Sequence, residues 1–265
     1  MEEKKVLICA PVGDGKEYSI NEWLMWIATQ KYKNYDVALC VNGRSQKTLD
    51  HKISMFKQVE ICNKPIEVLE LPFNKYHTTN HRISYSRELL RKYAIEKNYD
   101  FILWLDTDTI PLVMDAIPLL MEQDKEVISG LYFYKGTNQS VIIDADTSTN
   151  MRYELIEELI ASGDVVQVWG FGFGCVLMKK EILNKFSFDY KFKYEDWSED
   201  FTACELLDLN KVDRWFFARI VCKHYHEKDF SVGDSRSLAE QKHEGSIRKN
   251  KPLSTSGKNQ HLPAS

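Results

Sequence analysis

This sequence predicts an α/β protein built on a central, mostly parallel sheet flanked by helices, and two observations carry that prediction. Strand-like and helix-like stretches alternate through the first half. Within them, the apolar run Phe101-Ile102-Leu103-Trp104-Leu105 drops directly into Asp106-Thr107-Asp108 and is closed by Thr109-Ile110-Pro111. A short apolar run of this kind reads as a strand buried on both faces, so its carboxyl end is where the backbone first meets solvent. In open α/β sheets, ligands bind just beyond such ends. Two carboxylates two residues apart can there hold a hard divalent cation together with substrate phosphates.

The elements follow in order. Residues 6–10 form the first strand and 11–16 the loop after it; a helix bearing Trp23, Leu24, Ile27 and Ala28 leads to a strand at 37–41, which ends in the turn Asn42-Gly43-Arg44-Ser45. A helix at 49–56, a strand at 66–71, a polar stretch through Asn80 and a helix at 83–96 then feed the 101–105 strand. Beyond it we expect a helix at 116–122 and a strand at 127–134. The span 135–163 carries no readable pattern and is treated as loop. Strands at 165–169 and 175–178 flank Gly170-Phe171-Gly172-Phe173-Gly174, with a short helix at 180–185, a helix at 201–209 and a last strand at 215–222. Residues 244–265, rich in Lys, Ser, Asn and Gln, read as a flexible tail after a single domain at 1–243.

Composition narrows the class. With 265 residues, 43% hydrophobic and 12% aromatic, the chain can bury a sizeable core. The net charge of −4 disfavours a nucleic-acid partner held through phosphates. Met1-Glu2-Glu3-Lys4-Lys5 runs straight into a strand, with no room for a secretory segment, and no run is long enough to span a bilayer. The six cysteines include no Cys-x-x-Cys pair and mostly sit among apolar neighbours, so a cytoplasmic protein with reduced thiols is expected.

An Asp-x-Asp is weak evidence by itself, and the chain holds a second, Asp144-Ala145-Asp146, set among Ser, Thr and Asn as a hairpin or surface loop. We read that one as a decoy. Glu199 and Asp200 open a helix, where carboxylates also serve as caps. Cys222, His224 and His226 alternate along a strand, but the spacing is wrong for structural zinc. Arg82 and Arg87 lie on or before the helix that enters the 101–105 strand; they read either as a diphosphate fork or as a solvated face shared with Glu88 and Arg91. Trp169, Phe171 and Phe173 read as core aromatics or as a sugar-stacking surface.

In this order the pieces resemble a glycosyltransferase of the GT-A (Rossmann-like) fold, most similar to family two. They are Ala10-Pro11, the 42–45 turn, the Arg-bearing helix, Leu105-Asp106-Thr107-Asp108, the glycine run before Cys175-Val176-Leu177-Met178, Phe188-Asp189, Glu199-Asp200 and His224. The resemblance covers residues 6–226 and implies a nucleotide-binding half at about 1–111 and an acceptor half at about 112–243. It implies transfer of a sugar from a nucleotide-sugar, with a UDP- or GDP-sugar favoured, to a sugar, lipid-linked, protein or other hydroxyl acceptor, using Mn²⁺ or Mg²⁺. Asp108 would hold the metal, with Asp106 on the metal, ribose or sugar and His224 as a further ligand, His226 being the fallback. Asp200, beside Glu199, would be the general base of an inverting reaction, with Asp196 as the other candidate. Pro11, Glu17, Asn42, Arg82, Arg87 and Gly172 would line the donor site. Asn42 stands where the family often has an Asp that bonds the base, and Asp14 or Glu17 could share that task. Two other functions compete: a nucleotidyltransferase, for which Pro11-Val12-Gly13-Asp14-Gly15-Lys16 is a poor match, and a catalytically silent nucleotide-sugar-binding protein, which would lack a site acid.

Overall fold

A computed structural model describes residues 3–73, 78–188 and 198–226. Strand β1 (Val6–Val12) is buried along nearly its whole length, since its Val, Leu, Ile, Cys and Ala side chains leave no face that needs water. It pairs in parallel with β2 (Tyr35–Val41) on one side and β6 (Phe101–Leu105) on the other. Helix α1 (Ile20–Ala28) covers this region with Trp23, Trp26 and Ile27, spaced to share one face. Helix α2 (Gln46–Phe56) begins where the Ser45 hydroxyl accepts the Thr48 N–H. The two-residue strands β3 (Glu60–Ile61) and β4 (Lys64–Pro65) lead from it to the edge strand β5 (Glu67–Glu70). Helix α3 (Thr79–Glu96), capped by Thr78, returns the chain to β6.

The second half contributes β7 (Thr109–Pro111), α4 (Ala116–Glu122), β8 (Val127–Leu131), β9 (Ile143–Asp144), α5 (Tyr153–Ser162), β10 (Val165–Gly170), β11 (Cys175–Lys179), α6 (Glu199–Leu209) and β12 (Trp215–His224). The sheet runs β5-β2-β1-β6-β11-β8-β12-β10-β9, with β7 added on β12. Only β7, β10 and β11 run against the common strand direction. The predicted α/β class with a mostly parallel central sheet and flanking helices is therefore the observed one. Its core is one continuous apolar cluster in which Trp23, Trp104, Phe173 and Phe216 are fully enclosed.

Three local readings change. The span 135–163 is not all loop: α5 lies in it, burying Ile156 and Leu159 and ending at Gly163, whose φ of 74° suits a residue without a side chain. The strand predicted at 127–134 stops at Leu131, because the chain turns back at Tyr134, whose N–H donates to the Gln139 carbonyl and whose carbonyl accepts the Thr137 N–H. Of the two readings of α3, the solvated face shared with Glu88 and Arg91 does not hold, because both are buried: Glu88 receives Arg91 at 2.7 and 2.8 Å and the Phe188 N–H at 3.0 Å. Mutual pairing is what lets those charges leave water.

The second Asp-x-Asp forms a surface turn as expected, with Asp144 Oδ1 accepting the N–H groups of Asp146 and Thr147 at 2.9 Å. All six cysteines are free thiols, Cys62 alone exposed. No helix among the described residues is long and apolar enough to cross a membrane. Residues 1–227 form one compact unit. Asp189, Glu195, Asp196 and the 244–265 tail lie outside the described residues.

Candidate active site

The Asp106-Thr107-Asp108 turn is fixed from three sides. Asp106 N–H donates to the Gly174 carbonyl at 3.1 Å, Thr109 N–H to the Asp106 carbonyl at 2.9 Å, and Tyr225 N–H to the Asp108 carbonyl at 2.7 Å. The two carboxylates consequently point to different partners. Asp106 faces Arg87, whose Nη2 stands 3.0 Å from Oδ1 and 3.3 Å from Oδ2. Arg87 also reaches Glu199 Oε1 at 3.4 Å, Asp200 Oδ1 at 3.8 Å and the Phe173 carbonyl at 3.4 Å. Its side chain is only 1% exposed, packed near the rings of Trp104 and Phe173. Burial would favour loss of its proton, but Asp106, Asp200 and Glu199 outweigh it and keep the guanidinium charged.

Asp108 sits deeper, also 1% exposed, and its Oδ2 gathers cations. The ammonium groups of Lys16 and Lys135 both contact it, Tyr18 Oη lies at 3.3 Å and His224 Nε2 at 3.7 Å. Burial by itself would raise this carboxyl; His224, Lys16 and Lys135 more than offset that and hold it well below the usual carboxylate range. His224 Nδ1 meets the Phe133 carbonyl at 2.9 Å. A carbonyl only accepts, so Nδ1 carries a proton, and in the neutral ring Nε2 offers a lone pair on the Asp108 side.

That donor set fits a hard cation which completes its shell with substrate oxygens and water, since such ions often take only one or two protein carboxylates. Asp108 and His224 would supply the protein side. Asp106 is turned onto Arg87 and does not converge with them, and no cluster of three or more His, Cys, Asp or Glu side chains able to hold a metal is found among the described residues.

Ser198 caps α6 and presents Glu199 and Asp200 in its first turn. Burial raises the Glu199 carboxyl despite Arg87. Burial, then the charge of Glu199, pushes Asp200 well above its ordinary value, with Arg87 opposing. Asp200 Oδ1 is buried without a hydrogen-bond partner. Beneath the glycine run lies Tyr132, whose hydroxyl accepts the Gly174 N–H at 3.0 Å. A methyl at Gly172 would overlap that hydroxyl and come within 3.5 Å of Asp200 Oδ2, so the absence of a side chain here is a close-approach requirement. Phe171 and Phe173 are core residues, whereas Trp169 is half-buried against Phe201.

A cleft opens beside these groups, lined by Pro11, Asp14, Asn42, Arg44, Arg82 and Ile83 as well as by Lys16, Arg87, Asp106, Asp108 and Glu199. Among the described residues the Arg82 guanidinium keeps only a 3.2 Å bond to Thr79, so it is the better placed of the two predicted arginines to meet a ligand. Asn42 borders the cleft, yet its Nδ2 donates to Ser86 at 3.1 Å and Oδ1 lies against Gly13. Asp14 and Glu17 are drawn onto Lys52 at 2.6 and 3.0 Å. Glu17, Gly172, Asp200 and His224 do not border this cleft.

Sequence reasoning did not single out Lys16, Lys135 or Tyr132. Lys16 stood in a glycine-containing loop after the first strand, a position at which a cation beside phosphates is a sound expectation. For Lys135 and Tyr132 no local pattern marks the role, because both are placed by the turn after β8.

No protein-family model matches the chain, and no curated protein does. Among solved structures it is similar to TarS from S. aureus, at 14% identity over 82% of this chain and 36% of that one, with a TM-score of 0.51. It is also similar to A197 from STIV, at 15% identity over 84% and 86% of the two chains, with a TM-score of 0.48. At such identities the likeness to TarS is one of fold, and the fold is GT-A-like.

Proposed function

We propose that this protein is a glycosyltransferase that moves a sugar from a nucleotide-sugar to an acceptor hydroxyl with inversion at the anomeric carbon. The observation that carries the proposal is the gathering of acids around Arg87 at the carboxyl end of β6: Asp106, Asp108 and Glu199 line one cleft, and the half-buried Asp200 stands beside it, 3.8 Å from the guanidinium that holds Asp106 at 3.0 Å. The GT-A-like fold supports it at the level of architecture only.

In this reading Asp200 takes the proton of the acceptor hydroxyl as its oxygen bonds to the anomeric carbon. The bond from that carbon to the β-phosphate oxygen breaks, its electron pair leaving with the nucleoside diphosphate. A carboxyl raised toward neutrality is a better base than an ordinary one, since Brønsted behaviour rewards a pKa near the working pH. Arg87 is a positioning residue, orienting Asp106 toward the donor while it holds Glu199 and Asp200 in place. Gly172 lets the Tyr132 hydroxyl pack against the segment beside Asp200. Mn²⁺ or Mg²⁺ bound by Asp108, His224 and the diphosphate would supply charge stabilisation to the leaving group.

A thermal-shift panel of UDP-, GDP-, CMP- and dTDP-sugars, with and without Mn²⁺, tests this. One nucleotide class should raise Tm, and Asp108→Ala should remove the part of the rise that depends on Mn²⁺. The proposal fails if no nucleotide-sugar stabilises the protein under either condition and Asp108→Ala changes nothing.

A further inference from the structure

Lys16 and Lys135 have no part in the scheme above, yet they dominate the charge around Asp108. Lys16 comes from the loop between β1 and α1. Lys135 sits in a tight turn closed by the Phe133 and Ser140 backbone bridge and by the Tyr134 to Gln139 hydrogen bond. These separate segments deliver two ammonium groups to a single carboxylate oxygen.

The local charge is out of balance. Asp108 contributes one negative charge, and among the described residues neither lysine has a second carboxylate partner. Lys135 is further held by Tyr18 Oη at 2.7 Å, with its ammonium 5.5 Å from the Tyr18 ring. Tyr18 Oη in turn lies 3.2 Å from the Tyr225 carbonyl. An ammonium has three protons to donate; Lys16 gives one and Lys135 two to the partners named here. Both side chains keep partial exposure, 38% and 25%, beside a carboxylate that has almost none. Two cations on one buried anion leave a surplus positive charge that an arriving dianionic or trianionic group would neutralise.

We propose that Lys16 and Lys135 are diphosphate-binding residues, so that this protein holds a nucleoside diphosphate in part without a divalent cation. The inference rests on the glycosyltransferase reading and adds to it: the lysines turn from Asp108 to the phosphate oxygens, and Asp108 is freed toward His224. A phosphate pair presents several acceptors where Asp108 Oδ2 presents one, so the exchange adds charge-assisted bonds.

Calorimetric titration of the full chain with uridine, guanosine, cytidine and thymidine diphosphates, in EDTA and in Mn²⁺, tests it. The matching monophosphates and the variants Lys16→Met, Lys135→Met, Lys16→Arg and Lys135→Arg complete the set. One diphosphate should bind in EDTA; each Met variant should weaken that binding about tenfold or more while leaving the monophosphate within a few-fold, and each Arg variant should retain most of it. If a variant fails to fold, judged by circular dichroism, the comparison at the other lysine decides. Binding that needs Mn²⁺ and is unchanged in the Met variants overturns the lysine role and leaves the glycosyltransferase reading intact. Absence of diphosphate binding under both conditions overturns both.

Discussion

Arg87 and Asp106 are bound to each other inside the cleft, Nη2 to Oδ1 at 3.0 Å, although nineteen positions separate them and they arrive on a helix and at a strand end. The first carboxylate of the Asp-Thr-Asp turn is thus oriented by a buried cation, and the second is left to the lysines and His224.

Replacing Arg87 by Met should strand Asp106, Glu199 and Asp200 without their shared partner. Removing one member of a buried ion pair costs about 3–5 kcal/mol, so urea denaturation should show a loss of that order together with loss of transfer. Arg87→Lys should recover only part of either, because an ammonium cannot reproduce the forked contacts.

Asp200→Asn should separate stability from activity. The Asp200 carboxyl is raised in the folded protein, so the folded state binds its proton more tightly than the unfolded chain does. Stability conferred by that proton is complete below the ordinary carboxyl range and is lost as pH rises through the raised value. Asn carries no charge to lose; Tm at pH 7–8 should therefore be higher in the variant, while transfer falls by roughly 10²–10⁴. A variant no more stable than the parent at pH 8 would contradict the buried-charge account.

At Gly172 the expected effect is steric. Gly172→Ala should destabilise by about 1–3 kcal/mol, since the added methyl meets the Tyr132 hydroxyl. Tyr132→Phe in the same chain should return part of that loss, a coupling that a double-mutant cycle measures directly. Additive losses would mean that the two residues do not share this space.

The second acidic tripeptide provides a contrast. Asp144→Ala removes the acceptor of two backbone N–H groups and should cost about 1 kcal/mol in unfolding experiments. Nucleotide-sugar binding and kcat should be unchanged, whereas Asp108→Ala should abolish the Mn²⁺-dependent part of binding.

What was legible in the sequence depended on how local the cause is. The Phe101–Leu105 strand and Ala116–Glu122 helix were bounded to the residue, because an apolar run and a helical face announce themselves within a few positions. The start of α6 at Glu199 was legible from its acidic opening after Ser198. The α3 face stayed open between two readings, and the solvated one falls because Phe188, a hundred positions later, donates to Glu88. Lys16 and Lys135 were hidden for the same reason: 92 and 27 positions separate them from Asp108. The helix α5 was a missed local signal, Leu155, Ile156, Leu159 and Ile160 being spaced for one helical face.

The pairing of β7 with β12, sealed by the bond from Tyr225 N–H to the Asp108 carbonyl, also has a consequence for biosynthesis. Domains gather structure from the N-terminus as they emerge from the ribosome, so β1, β2 and β6 can meet early. The acidic turn that follows β6 gains a first tie at Gly174 but stays incompletely anchored until residues some hundred and fifteen positions further on have been translated and docked. A ribosome-bound intermediate would already carry both aspartates and yet hold no finished pocket, and the cleft would close into working order only as the last strand comes home.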